Sequence, residues 1–140
     1  MQTVIFACVH SAGRSQMAAA FFNTLANRSR ARAIAAGTQP TPDVAPEVVE
    51  VMLEAGIDLV RDEPRLLTPE LAREGTMLVT MGCADRLPAV THLLREEWFL
   101  ADPHGKAVAD LRRIRDDVRQ RVRKLVEREG WAFAANGAAN

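Results

Sequence analysis

The chain has 140 residues, 48% of them hydrophobic and 26% charged, which suits one domain with a buried core. Its 18 basic residues balance 18 acidic ones, so overall charge gives no support to a nucleic-acid or membrane-surface role, and any anion site has to be local. Two cysteines are too few for a disulfide-stapled secreted fold, no apolar run is long enough to span a membrane, and Met1-Gln2-Thr3 lacks the basic start of a signal peptide; the expected compartment is a reducing cytoplasm.

Thr3 to Ala7 reads as a buried strand, and a helix from about Arg14 to Asn27 follows, with Met17, Ala18, Phe21, Phe22 and Leu25 as its apolar stripe. Ala31 to Ala36 is a weak second strand ended by Gly37. The prolines at 40 and 42 put a loop before a second helix, about Ala45 to Ala55, which Pro46 opens and Gly56 closes. Ile57 to Leu67 is irregular and charged. Thr68-Pro69 starts a short helix ended by Gly75, and Thr76 to Met81 is a strong third strand. A fourth short strand is expected around Trp98-Phe99-Leu100. The last helix, about Ala107 to Glu129, repeats Val108, Leu111, Ile114, Val118, Val122 and Leu125 near the helical period, with mixed charges outside. Residues 1–130 then form one domain, and 131–140 form a loosely ordered tail.

Alternating strands and helices imply an α/β fold with a four-stranded parallel sheet in the order 2-1-3-4, flanked by helices. Ligands bind such sheets at the carboxyl ends of the strands, beside the switch point between strands one and three. Cys8 follows strand one, Cys83 strand three and Asp102 strand four, so all three fall on that edge.

Cys8-Val9-His10-Ser11-Ala12-Gly13-Arg14-Ser15 joins the first strand to the first helix. A helix start offers unpaired N–H groups and the positive end of the dipole, which favours a thiolate at Cys8. Amides from Val9 through His10, Ser11, Ala12 and Gly13 to Arg14 can form a nest for an oxyanion, with Gly13 permitting the turn. Arg14 adds a planar fork, and Ser15 can donate to the sulfur. With 16 Arg in 140 residues the Cys-x5-Arg spacing alone recurs about once in nine positions, so the strand-loop-helix setting carries the signal. Asp102, stiffened by Pro103, can protonate a leaving oxygen. Cys83 separates two chemistries: a phosphatase needs one thiol, whereas a reductase needs a second to take up the oxidation as a disulfide. His10 reads as a structural or hydrogen-bonding residue of the loop rather than a base, His92, His104 and the cysteines show no metal-ligand spacing, and no metal is expected.

The segment Cys8 to Ala18 resembles the loop of arsenate reductases built on the low-molecular-weight protein tyrosine phosphatase fold. Gly56-Ile57-Asp58, Leu67-Thr68-Pro69-Glu70-Leu71, Val79-Thr80-Met81-Gly82-Cys83 and Asp102-Pro103-His104-Gly105 match that pattern in order, over about residues 2–130. The resemblance implies that Cys8 attacks arsenate held by Arg14 and the loop amides, with Asp102 assisting loss of water. Cys83 then attacks Cys8, arsenite leaves, and a Cys8–Cys83 disulfide remains. It also implies no bound cofactor, an external thiol reductant (thioredoxin- or glutaredoxin-like, or a low-molecular-weight thiol), phosphate or sulfate as substrate mimics, and a monomer.

The sequence departs from the family pattern at three places. Leu87 stands where thioredoxin-coupled members carry a third cysteine, so the usual shuttling of the disulfide to the surface is not available. Ser11 replaces an Asn. Ala19 replaces a Glu associated with a potassium site in some members. The resulting expectation is an arsenate reductase. The alternatives are a low-molecular-weight phosphatase working through a cysteinyl-phosphate, and an oxyanion-binding module without activity.

Overall fold

Val4-Ile5-Phe6-Ala7 and Met77-Leu78-Val79 are apolar at every position, as strands covered on both faces must be. The computed structural model describes residues 1–59, 62–83, 87 and 93–133. In it these runs form the inner strands, β1 (Gln2–Cys8) and β3 (Met77–Thr80), of a four-stranded parallel sheet. The order is β2-β1-β3-β4, with β2 (Ala31–Gly37) and β4 (Leu94–Glu97) at the edges. The expected fold class and strand order are therefore present. The register aligns Cys8 with Gly37 and Thr80 with Glu97, so the strands end along a common edge.

The two faces are covered unequally. Helices α1 (Arg14–Leu25), α2 (Pro46–Glu54) and α4 (Val108–Arg128) bury Phe22, Met52 and Val118 in one cluster with Val4, Phe6 and Cys8 of β1. Among the described residues, the short α3 (Pro69–Arg73) and loop residues cover the other face, where Leu71, Leu67 and Leu93 meet Ile5, Ala7 and Leu78. The alternation along β1 thus assigns Cys8 to the first face and Ala7 to the second.

Helix ends follow the expected chemistry. Thr68 Oγ1 accepts the Leu71 N–H at 3.0 Å, capping α3. At the end of α2 the N–H groups of Gly56 and Ile57 donate to Leu53 and Met52 carbonyls, each at 2.9 Å, with Gly56 at φ +83°. That is the double bond pattern a left-handed glycine permits.

Two expectations are corrected. The fourth strand is Leu94–Glu97, not the apolar run after it. An edge strand pairs on one side only and tolerates Arg95, Glu96 and Glu97, as edge strands commonly do. The apolar run serves elsewhere: Trp98 packs on Phe6 with ring centroids 5.5 Å apart, and Phe99 is exposed. The start of the expected loose tail is also docked. Trp131 sits edge-on to Phe22 at 5.7 Å and accepts the Asn27 N–H at 2.8 Å, while Ala132 bridges to Ala26. Residues 134–140 lie outside the described residues, as do 84–86 and 88–92, His92 among them.

Candidate active site

β1 ends at Cys8 and α1 begins at Arg14, so the intervening loop has to turn sharply. Its carbonyls face the 38–45 segment. The N–H groups of Thr38, Gln39, Thr41 and Ala45 donate to the oxygens of Cys8, Val9, His10 and Ala12 at 3.2, 2.7, 3.1 and 2.9 Å. Among the described residues no backbone N–H from Val9 to Gly13 donates to a protein acceptor. A loop with its oxygens satisfied on one side and its amides unspent on the other is a cradle for an anion.

The end of β2 has to come close for those bonds to form. A Cβ on Gly37 would lie 2.7 Å from the Val9 oxygen and 3.0 Å from the Ser11 nitrogen. In the sequence Gly37 reads only as a strand terminator, so this support is invisible there.

The helix behind the loop adds field. α2, α3 and α4 carry Glu47, Glu70 and Asp110 in their first turns, whereas α1 carries no acid there. Its positive end is left uncompensated for a bound oxyanion.

Cys8 is 3% exposed, and its Sγ lies 3.1 Å from Ser15 Oγ. Ser15 Oγ in turn lies 3.0 Å from Ser11 Oγ, which accepts from Gln16 Nε2 at 3.2 Å. Ser11 sits at φ +52°, a left-handed conformation in which a residue other than Gly, Asn or Asp is uncommon. Ser11, where the resemblance leads one to expect Asn, therefore keeps the turn in place, held by two side-chain bonds.

Arg14 Nη1 donates to the Leu100 carbonyl at 3.3 Å, and its guanidinium covers Gly82, whose φ of +89° suits glycine. One edge of the fork is thus anchored, with further N–H groups available to a ligand. Cys8, His10, Gly13, Arg14, Asp102 and Pro103 all line one cavity of about 440 Å³, which Thr41 and Val48 help to close. The Asp102 carboxylate accepts the His104 N–H at 3.0 Å, which fixes the turn that presents it. Pro103 packs hard on the loop: a Cβ on Gly13 would lie 2.7 Å from Pro103 Cγ. Gly13 is thus needed for close approach of the Asp-Pro turn.

Cys83 is not brought into this cavity. Both cysteines are thiols, and Cys83 is fully buried in the cluster on the opposite face of the sheet, with Leu71, Leu78 and Leu93. Leu87 packs against that same cluster. The left-handed turn at Gly82, just beyond β3, takes the chain there. The carboxyl edge therefore unites Cys8 and Asp102 and leaves Cys83 beneath.

Ala19 faces a second, polar cavity lined by Gln16, Asn23, Arg32, Asp62 and Arg65. Burial, with Asp58 nearby, raises the Asp62 carboxyl above its ordinary range. Among the described residues no three acidic, His or Cys side chains group as metal ligands, and no helix is long and apolar enough to cross a membrane.

Comparison with known proteins fits this geometry. The profile of the family described as low molecular weight phosphotyrosine protein phosphatase matches residues 3–131. A protein of Halobacterium salinarum, provisionally named an arsenate reductase, is 40% identical over 131 residues, 87% of this chain and 89% of its own. The glutaredoxin arsenate reductase of Synechocystis sp. is 30% identical over 129 residues, 90% of this chain and 97% of its own. A solved structure titled an arsenate reductase in the phosphate binding state superposes with a TM-score of 0.81 at 30% identity, covering 91% of this chain and 98% of that one. The chain belongs to the low-molecular-weight phosphotyrosine protein phosphatase family.

Proposed function

We propose that this chain is an arsenate reductase working through Cys8. The observation that carries the reading is the cradle itself: a buried cysteine under unspent loop amides, with Arg14 and Asp102 on the same cavity. Relatives that share most of this chain's length are named arsenate reductases, which favours arsenate among the tetrahedral oxyanions this cradle could hold.

In the proposed reaction the Cys8 thiolate attacks the arsenic of arsenate. Arg14 and the amides of 9–14 hold the remaining oxygens and stabilise the charge on them as the bond forms. Asp102 gives its proton to the departing oxygen, which leaves as water. The Cys83 thiol then loses its proton and attacks Cys8 Sγ. The sulfur–arsenic bond breaks with its electron pair on arsenic, so arsenite departs and the two oxidised sulfurs remain as a disulfide. An external thiol reductant, thioredoxin- or glutaredoxin-like or a small thiol, restores both thiols. The chain acts as a cytoplasmic monomer with no bound cofactor.

One observation favours a second reading. Cys83 lies outside the cavity, and phosphate-monoester hydrolysis through Cys8 needs no second thiol. The two readings separate in one experiment: arsenite formation from arsenate with each reductant class, beside hydrolysis of an aryl phosphate. Cys8→Ser is expected to abolish both. Cys83→Ser is expected to end multiple-turnover reduction and spare any phosphate release. No arsenite with any reductant, together with rapid phosphate release, would replace the first reading by the second.

A further inference from the structure

Behind Cys8 lies a row of side chains closed off from solvent. Ser15 Oγ is 3.1 Å from Cys8 Sγ, Ser11 Oγ is 3.0 Å from Ser15 Oγ, and Gln16 Nε2 is 3.2 Å from Ser11 Oγ. Ser11 and Ser15 are 0% exposed and Gln16 is 4% exposed, so water does not compete for these bonds.

Each hydroxyl has one proton to give, and the row can run in either of two directions. In one, every proton points toward the sulfur. In the other, the thiol donates to Ser15, Ser15 to Ser11, and Ser11 outward. The first favours the thiolate and the second the neutral thiol. The two hydroxyls alone cannot choose, since each donates or accepts equally well. Gln16 breaks the tie. An amide nitrogen only donates, so Ser11 Oγ accepts from it and keeps its own proton for Ser15. Ser15 Oγ then accepts from Ser11 and keeps its proton for Cys8. The left-handed backbone of Ser11 is what holds that hydroxyl between Ser15 and a residue five positions on.

We propose that Gln16 is a positioning residue, which orients the Ser11 and Ser15 hydroxyls so that an O–H bond points at the Cys8 sulfur before any oxyanion binds. Gln16 does not line the cavity of about 440 Å³ and acts only through Ser11. The proposal rests on Cys8 being the nucleophile, and its test reads the thiol rather than turnover.

The experiment is a double-mutant cycle on alkylation by iodoacetamide across pH, with peptide mass mapping to separate Cys8 from Cys83. Gln16→Met keeps the length and removes the donor. Ser11→Gly accepts the left-handed backbone and removes the hydroxyl. Gln16→Met is expected to slow Cys8 alkylation roughly three- to tenfold near neutral pH, with the difference closing at high pH, since a hydrogen bond to the charged form has been lost. In the Ser11→Gly background the same change is expected to add nothing, because the path to the sulfur is already cut. A Gln16→Met profile that overlays the wild type, or a slowing that persists undiminished without Ser11, overturns the proposal. Gln16→Leu serves in the same cycle should Gln16→Met not fold. Arsenite production, recorded in parallel, keeps the two failures apart: a wild type that makes none strikes at the reductase reading and leaves the alkylation cycle intact.

Discussion

Gly13 ties the oxyanion loop to the Asp-Pro turn, and its replacement tests how finely the two are set. A Cβ there would lie 2.7 Å from Pro103 Cγ, closer than real contacts allow, so the turn carrying Asp102 has to move. Displacements near 1 Å cost up to about a hundredfold in rate. Gly13→Ala is expected to lower kcat/KM for arsenate by roughly ten- to a hundredfold with little change in melting temperature. Adding Pro103→Ala removes the colliding atom, so the double variant is expected to be no worse than Pro103→Ala alone. Additive losses would place the fault in the loop's own backbone. Cys8, Arg14 and Asp102 were legible in the sequence because their chemistry is unusual and their setting local. Gly37 and Gln16 were not, because what they touch is set by folding. Gly37 meets Val9 and Ser11 across the sheet, and Gln16 reads as an ordinary polar helix residue until Ser11 turns left-handed beside it.

At the scale of elements, α4 is fastened to its neighbours by arginine forks. Glu54 of α2 takes Arg112 at 2.8 Å and Arg115 at 3.0 Å, and Arg115 also donates to the Val51 carbonyl at 2.9 Å. The Arg112 hydrogen bond, with Arg115 beside it, holds the Glu54 carboxyl at about 2 against an ordinary 4.5. A lowered carboxyl contributes stability that is present above pH 4.5 and is lost as pH falls through about 2. Glu96 of β4, lowered by Arg128, loses its contribution in the same direction, while Asp62, raised by burial, gains on protonation. Glu54→Gln is expected to lower the urea midpoint at pH 7, and the gap from wild type is expected to close between pH 4.5 and 2. A gap that stays constant with pH would assign the loss to shape rather than charge. These clamps also explain why β4 escaped the sequence. Its Glu96 is chosen for Arg128 and the Trp98 indole N–H, so the strand lacks the apolar pattern by which strands are recognised.

At the scale of the molecule, the sheet divides the two cysteines. Cys8 shares one face with Val4 and Phe6, and Cys83 is sealed in the cluster on the other with Ile5, Leu78 and Leu93. In the sequence the two cysteines stand at or just beyond the ends of neighbouring strands. The sequence says nothing of which face the chain enters after Gly82, because one left-handed residue decides it. A disulfide needs Cβ atoms about 4 Å apart. On the proposed mechanism Cys83 therefore has to leave its apolar surroundings before it can attack, and the cover over it governs the resolving step. Leu87, half-buried on that cluster where the resemblance leads one to expect a third cysteine, is part of the cover. Truncating it costs the native packing about 1 to 2 kcal/mol, below the range for fully buried leucines. If about 1 kcal/mol of that comes off the opening, disulfide formation speeds up about fivefold. Leu87→Ala is thus expected to accelerate appearance of the Cys8–Cys83 disulfide after a single addition of arsenate, followed by quenching and thiol labelling. The first step at Cys8, read as the burst with an aryl phosphate, is expected to stay unchanged, because Leu87 does not line its cavity. An unchanged disulfide rate would mean that release from the cluster does not limit the transfer. Disulfide formation no faster in Leu87→Ala and arsenite release intact in Cys83→Ser would together remove Cys83 from the reaction and leave regeneration of Cys8 to an external thiol.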